Sequence, residues 1–158
     1  MADHYIRPGV ETELDALKSH SVKRIEVMMA EDRFSFTIVI RDATQSSELK
    51  SSENDIVVGF IGITRPPEVF YIFDEQYWGH GYATEALKAF LEIYWETFPS
   101  GFNKADEELR DVLEAHIHYG NDGSERVAVK CGFVHVRDDI ETAHGREVGK
   151  KIFRLQRP

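Results

Sequence analysis

A chain of 158 residues that is 42% hydrophobic, with two Trp, six Tyr and ten Phe, is long enough for one domain with a real core and too short for two ordinary ones. Its formal charge of −9 argues against a nucleic-acid partner, which would want clustered Lys and Arg; it suits a cationic substrate, although acidity also serves solubility alone. A single cysteine, Cys131, rules out an internal disulfide. Met1 to Pro8 show no basic start followed by an apolar run, and no window approaches the roughly 20 apolar residues of a membrane span, so a soluble, cytoplasmic protein with no membrane partner is expected.

Along the chain, Val10, Leu14, Leu17, Val22, Ile25 and Met29 recur at helical spacing, which predicts a helical segment over residues 1–33, with Ser19-His20-Ser21 as an internal break. The remaining residues, 34–158, form the core of the single domain. Phe34 to Ile40 and Ile56 to Ile63 are β-branched and aromatic and predict a hairpin whose polar connection, Asp42 to Asn54, reads as a long, mobile loop. Pro66-Pro67 turns the chain into a strand from Val69 to Phe73. The helix after it presents Ala83, Ala86, Leu87, Phe90, Leu91, Tyr94 and Phe98 on one face and ends at Pro99-Ser-Gly101. Phe102 to Leu109 reads as a loop or a short helix. Leu113, Ala115, Ile117 and Tyr119 alternate with Glu114, His116 and His118, as in a strand with one polar face. A short helix from Ser124 to Cys131 stops at Gly132, and Phe133 to Val136 and Lys151 to Leu155 give two last strands joined by a polar loop.

The junction at Gly79-His80-Gly81 carries the most information. Two glycines between a strand and a helix let the backbone turn sharply, and the N–H groups of a helix start favour an anion such as a phosphate. A Walker A loop would continue into Gly-Lys-Ser/Thr, whereas Tyr82-Ala83 follow here. A dinucleotide fingerprint wants a third glycine where Thr84 stands and an acidic strand end roughly 20 residues on, and neither is present. What remains, Gln76-x-x-Gly79-x-Gly81-x-Ala83, resembles the Q/R-x-x-G-x-G/A pyrophosphate loop of the GCN5-related N-acetyltransferases (GNAT). The longer run Tyr77 to Leu87 is similar to the RimJ/RimL-type branch of that family. Asn121-Asp-Gly-Ser124, followed by Lys130-Cys-Gly132-Phe133, is similar to the N-x-x-S…K-x-G-F signature of the same branch.

The resemblance implies an α/β (α+β) GNAT fold: a central mixed, mostly antiparallel sheet of about six strands, flanked by helices and splayed between Val69–Phe73 and Leu113–Tyr119, with acetyl-CoA as cosubstrate in the V and no metal. It further implies transfer of an acetyl group to a primary amine of a small molecule or protein, directly in a ternary complex. A CoA-binding or regulatory module without transfer activity is the alternative. The chain departs from the branch at its N-terminus, where only Tyr5-Ile-Arg-Pro8 is similar to the usual opening strand. Part of the acceptor wall is then expected to be missing, rebuilt near Leu14, or supplied by a second subunit, and the exposed apolar surface would favour a homodimer.

Acetyl transfer needs an uncharged amine, a stabilised oxyanion and a proton for the leaving thiolate. Neutralising a lysine-like amine at pH 7 costs roughly 4–5 kcal/mol, an α-amino group only about 1. Glu68 stands where the branch often carries a base, with a solvated strand-end glutamate as the alternative. His116 and His118 share one face with Glu114, and either is a second candidate for moving the proton, or an ordinary sheet histidine. Ser124 matches the serine expected near the sulfur of CoA, or caps its helix. Tyr119 is the runner-up acid, although the alternation points its side chain with the apolar set. The backbone of Tyr71, Ile72 and Phe73 is expected to supply the oxyanion donor. Gln76, Gly79, His80, Gly81, Tyr82, Ala83 and Thr84 are expected to surround the diphosphate, with Asn121 and Lys130 closing the site. Cys131, before Gly132-Phe133, reads as packing rather than as an acyl carrier. Trp78 and Trp95 read as packing residues, one at the rim of the glycine turn and one on the helix.

Overall fold

Stretches rich in β-branched and aromatic residues pair into one sheet in the computed structural model, which describes residues 4–5, 13–18, 21–30, 33–42, 56–102, 107–143 and 145–158. Its strands are β1 (His4–Tyr5), β2 (Glu13–Lys18), β3 (Ser21–Ala30), β4 (Arg33–Asp42), β5 (Ile56–Arg65), β6 (Glu68–Phe73), β7 (Val112–His118), β8 (Val134–Ala143) and β9 (Arg146–Gln156). They lie in the order β1-β2-β3-β4-β5-β6-β7-β9-β8, and only β6 and β7 run parallel. β4 to β9 are the six strands the pattern anticipates, and the mixed, mostly antiparallel architecture stands.

The N-terminal helical segment does not. The stretch expected to be helical from Val10 to Ala30 contains β2 and β3 instead, and β3 pairs with β4 along its whole length, from Ser21↔Asp42 to Ala30↔Arg33. Helical spacing of a few apolar residues is a weak preference. A neighbouring strand edge that pairs the backbone groups facing it along the whole strand overrides it, and Val22, Ile25 and Val27 are residue types that suit strands. The expected loop at Asp42 to Asn54 lies, but for Asp42 at the end of β4, outside the described residues, as do residues 103–106 of the ambiguous stretch, whose end Glu107–Leu109 is a 3-10 turn.

Helix α1 (Tyr82–Thr97) buries Ala86, Leu87, Ala89, Phe90, Leu91, Ile93 and Tyr94 against the sheet. Phe90 lies 5.7 Å from the rings of both Phe34 and Phe36 of β4, and the three form the centre of the core with Ile38, Ile61 and Ile63. Burying each such side chain stabilises the fold by about 1.5–3 kcal/mol. Helix α2 (Asp122–Lys130) starts two residues before the expected Ser124 because Asn121 caps it, its side chain accepting from Ser124 N–H at 3.1 Å. Gly132 then ends it at φ 91°.

β8 and β9 extend far beyond the short strands expected, pairing out to Ala143↔Arg146 where a polar loop was anticipated. This arm is held by charge rather than by apolar burial: Lys150 Nζ donates to Glu141 at 2.7 Å, and His118 faces the same carboxylate at 2.9 Å. Polarity therefore concealed a strand pair.

Candidate functional site

β6 and β7 meet at one point and then part. Glu68 pairs with Glu114, the Glu114 N–H donates to the Pro67 carbonyl at 2.8 Å, and no further pair joins the two strands. Past this junction the edge of β6 from Tyr71 to Phe73 faces a cleft instead of a strand. The cleft has a volume of about 970 Å³ and runs from β6 past the start of α1 to the β7–α2 turn.

Gly79 (φ 78°) and Gly81 (φ 83°) make the turn into α1, and both conformations lie in the left-handed region that disfavours any side chain. Gly81 is the N-cap and offers no side-chain acceptor to the first turn, so the helix start of Tyr82, Ala83 and Thr84 opens directly on the cleft. Such an end carries partial positive charge and suits an anion. Opposite, α2 turns Arg126 and Lys130 to the same space. These two cations, with the bare helix mouth, make a site that fits the diphosphate of a coenzyme.

The Tyr71 hydroxyl donates to the Ser124 carbonyl at 2.8 Å and ties β6 to α2. Burial pushes its phenol well above the ordinary value, against the opposing effect of the Ser124 side chain, so it stays a donor. Tyr119 does not point with the apolar set. It follows the last residue of β7, is 53% exposed and lies flat against Gly149, where a Cβ would come within 2.3 Å of the ring. Desolvation, a hydrogen bond to Asp138 and that carboxylate's charge push the Tyr119 phenol up, which keeps its proton in place at neutral pH.

Among the expected site residues, Tyr71, Ile72, Phe73, Gly79, Gly81, Tyr82, Ala83, Thr84, Tyr119, Asn121, Ser124 and Lys130 line the one cleft. Gln76 and His80 do not: Gln76 sits exposed on the 3-10 turn Glu75–Tyr77, and His80 stacks on Tyr82 at 5.6 Å. Glu68 and His116 lie at the junction behind the cleft, Glu68 Oε2 being 3.6 Å from His116 Nδ1. Ser124 is not the cap of its helix, since Asn121 holds that place. Trp78 does not pack as expected; it is 66% exposed at the rim, with Nε1 donating to the Phe73 carbonyl at 2.8 Å. Cys131 packs as expected, its thiol half-buried against the Thr84 carbonyl and pushed up by burial. Arg126 and Gly120 were missed by sequence reasoning. Arg126 and Lys130 stand at i, i+4 on one helix, a spacing that places both on one face.

A family model described as an acetyltransferase (GNAT) domain matches residues 4–134. The chain belongs to the GNAT acetyltransferase family. The match begins within β1, so it takes in the N-terminal strands that the motif comparison set apart. Solved structures similar to this GNAT domain include the ribosomal-protein-S5-alanine acetyltransferase of Vibrio fischeri, at 18% identity and a TM-score of 0.57 over 79% of this chain and 62% of that one. A microcin C7 self-immunity acetyltransferase, solved with acetyl-CoA and AMP, is similar at 13% identity and a TM-score of 0.57 over 80% and 62%. A spermidine/spermine N-acetyltransferase of Vibrio cholerae, in mutant form, is similar at 14% and 0.56 over 79% and 67%. At such identities they show the fold. The chain spans 62% of the length of the first two. No curated protein matches by sequence. Among the described residues no helix is long and apolar enough to cross a membrane, and no group of three or more His, Cys, Asp or Glu is arranged to hold a metal.

Proposed function

We propose that this domain binds acetyl-CoA in the cleft and transfers the acetyl group directly to a primary amine of a small molecule or protein. The observation that carries the reading is the parting of β6 from β7 beyond Glu68↔Glu114, with a helix start whose N-cap, Gly81, makes no side-chain cap at one end of the gap. The backbone at Gly79 to Thr84 holds the diphosphate, with Arg126 and Lys130 supplying countercharge and Asn121 fixing the turn beside it. An unpaired N–H on the Tyr71 to Phe73 edge takes the developing oxyanion. Glu68 and His116 take one proton from the acceptor ammonium; the nitrogen lone pair forms the new C–N bond, and as the C–S bond breaks the second N–H proton passes through the hydroxyl of Ser124 or Tyr119 to the thiolate, leaving that hydroxyl as it began.

Neighbours whose names specify a ribosomal-protein alanine and spermidine favour acceptors that present a cationic primary amine. The acidic balance of the chain agrees with that class. Assignment to the RimJ/RimL branch rests on the Tyr77 to Leu87 and Asn121 to Phe133 motifs. A catalytically silent CoA-binding module is the second reading, favoured by the placement of Glu68 and His116 outside the cleft lining. Incubation with acetyl-CoA and a panel of α-amines, polyamines and lysine peptides, followed by assay of free thiol, tests the proposal. Amine-dependent thiol release supports transfer; acetyl-CoA binding without release from any amine supports the silent module.

A further inference from the structure

The polar face of β7 carries a side-chain cluster beside the cleft, outside its lining. Glu114 is the single buried charged residue among the described residues, 5% exposed. Its two oxygens are divided. Oε1 accepts from Arg154 Nη2 at 2.6 Å and Nε at 3.1 Å, with Arg137 Nη1 at 3.5 Å, while among the described residues Oε2 meets only His116 Nε2, at 2.9 Å. The other ring nitrogen, Nδ1, stands 3.6 Å from Glu68 Oε2, beyond hydrogen-bonding distance.

We propose that Glu114 is a positioning residue that fixes the tautomer of His116, leaving Nδ1 as the unprotonated atom that takes a proton from an acceptor ammonium held by Glu68. The inference rests on the acetyl-transfer reading above. A carboxylate surrounded by guanidinium groups can only accept, so the proton of the Glu114–His116 bond belongs to Nε2. Burial alone would raise Glu114, but hydrogen bonds from His116 and Arg154 and the charges of Arg137 and Arg154 outweigh it and hold the carboxyl below its usual range. Nδ1 and Glu68 Oε2 are then two acceptors 3.6 Å apart. An ammonium, with three donors and a positive charge, satisfies both, whereas a hydroxyl acceptor satisfies one and a carboxylate neither.

The charges around the ring agree. Glu68 comes from β6 with Arg65 3.5 Å from it, Glu114 from β7, Arg137 from β8 and Arg154 from β9, so three guanidinium groups already face two carboxylates without a second proton on the ring. His118, further along β7, belongs to a separate set with Glu141 and Lys150. In the step itself an N–H bond of the ammonium breaks, its proton passes to Nδ1, and the electron pair stays on nitrogen as the nucleophile; Glu114 stabilises the imidazolium until the proton leaves to solvent.

The test is the ring-nitrogen NMR of His116 in ligand-free protein at pH 8, assigned with a His116→Asn variant, beside kinetics of Glu114→Gln and Glu114→Asp. The expected spectrum shows Nε2 protonated and Nδ1 bare. Glu114→Gln should move the ring to the other or a mixed tautomer and lower kcat about 100-fold with KM for acetyl-CoA within twofold, and Glu114→Asp should recover part of the loss. A wild-type ring that is doubly protonated or protonated at Nδ1, or a Glu114→Gln variant with unchanged tautomer and kcat, overturns the proposal. Failure of acetyl-CoA to bind would instead sink the function reading, and the wild-type spectrum would still decide the tautomer.

Discussion

Helices α1 and α2 open on the same cleft and begin in opposite ways. α1 starts at a left-handed glycine with no side-chain cap; α2 starts at Asn121, whose side chain is already spent on the Ser124 N–H. The first leaves its helix end to a ligand, and the second closes its own end and contributes charge through Arg126 and Lys130 instead. On the proposed reading, anion binding is divided between backbone on one side and side chains on the other. The backbone half is rigid and geometric, the side-chain half adjustable and sensitive to salt.

Breaking the backbone half should have the largest effect. Gly81→Val forces a branched residue into φ 83° at the helix mouth. With the left-handed cost alone at about 1–2 kcal/mol, acetyl-CoA affinity should fall about five- to thirtyfold by calorimetry, and an unchanged Kd would refute the role given to this turn. The side-chain half should matter less: the Arg126→Ala, Lys130→Ala double variant should weaken binding about three- to tenfold at 0.15 M salt and by less at 1 M. Asn121→Ala sharpens the contrast, since it removes the cap of α2 and leaves the start of α1 untouched. It should lower stability by about 1 kcal/mol, a fall of about 2–4 °C in Tm, with a smaller change in affinity than Gly81→Val.

The smallest effect is expected outside the cleft, on the β8–β9 arm. The hydrogen bond from Lys150, then that from His118, pulls Glu141 down to about 2. A lowered carboxylate stabilises the folded state above its ordinary value of 4.5 and loses that contribution as pH falls toward 2. Glu141→Gln should therefore melt slightly below the wild type at pH 7, and the gap should close between pH 4.5 and 2. A gap that widens on acidification would contradict the assignment.

How much of this was legible in the chain follows from how local each signal is. Gly79 and Gly81 declare themselves because a positive φ at a strand–helix junction leaves few other residues tolerable, and the alternation of Leu113, Ala115 and Ile117 marks a strand with one buried face. The N-terminal strands were hidden because Leu14, Leu17, Val22 and Ile25 fit a helix period equally well, and only the edge of β4 decides between the two. The outer parts of β8 and β9 were hidden for the reverse reason: Asp138, Glu141 and Lys150 look like loop residues until cross-strand charge pairs are seen. The Glu114–His116–Glu68 cluster needs β6, β7, β8 and β9 at once, and no spacing within a single element encodes it. Gln76 shows the limit of motif transfer, since matching the pattern put it on an exposed turn outside the cleft lining.

Amide NMR during titration with acetyl-CoA tests the central claim most directly. The largest shifts should fall on the backbone of Gly79 to Thr84 and on Tyr71 to Phe73, the two borders of the parted strands. Shifts confined to other elements, or none at millimolar ligand, would contradict the account.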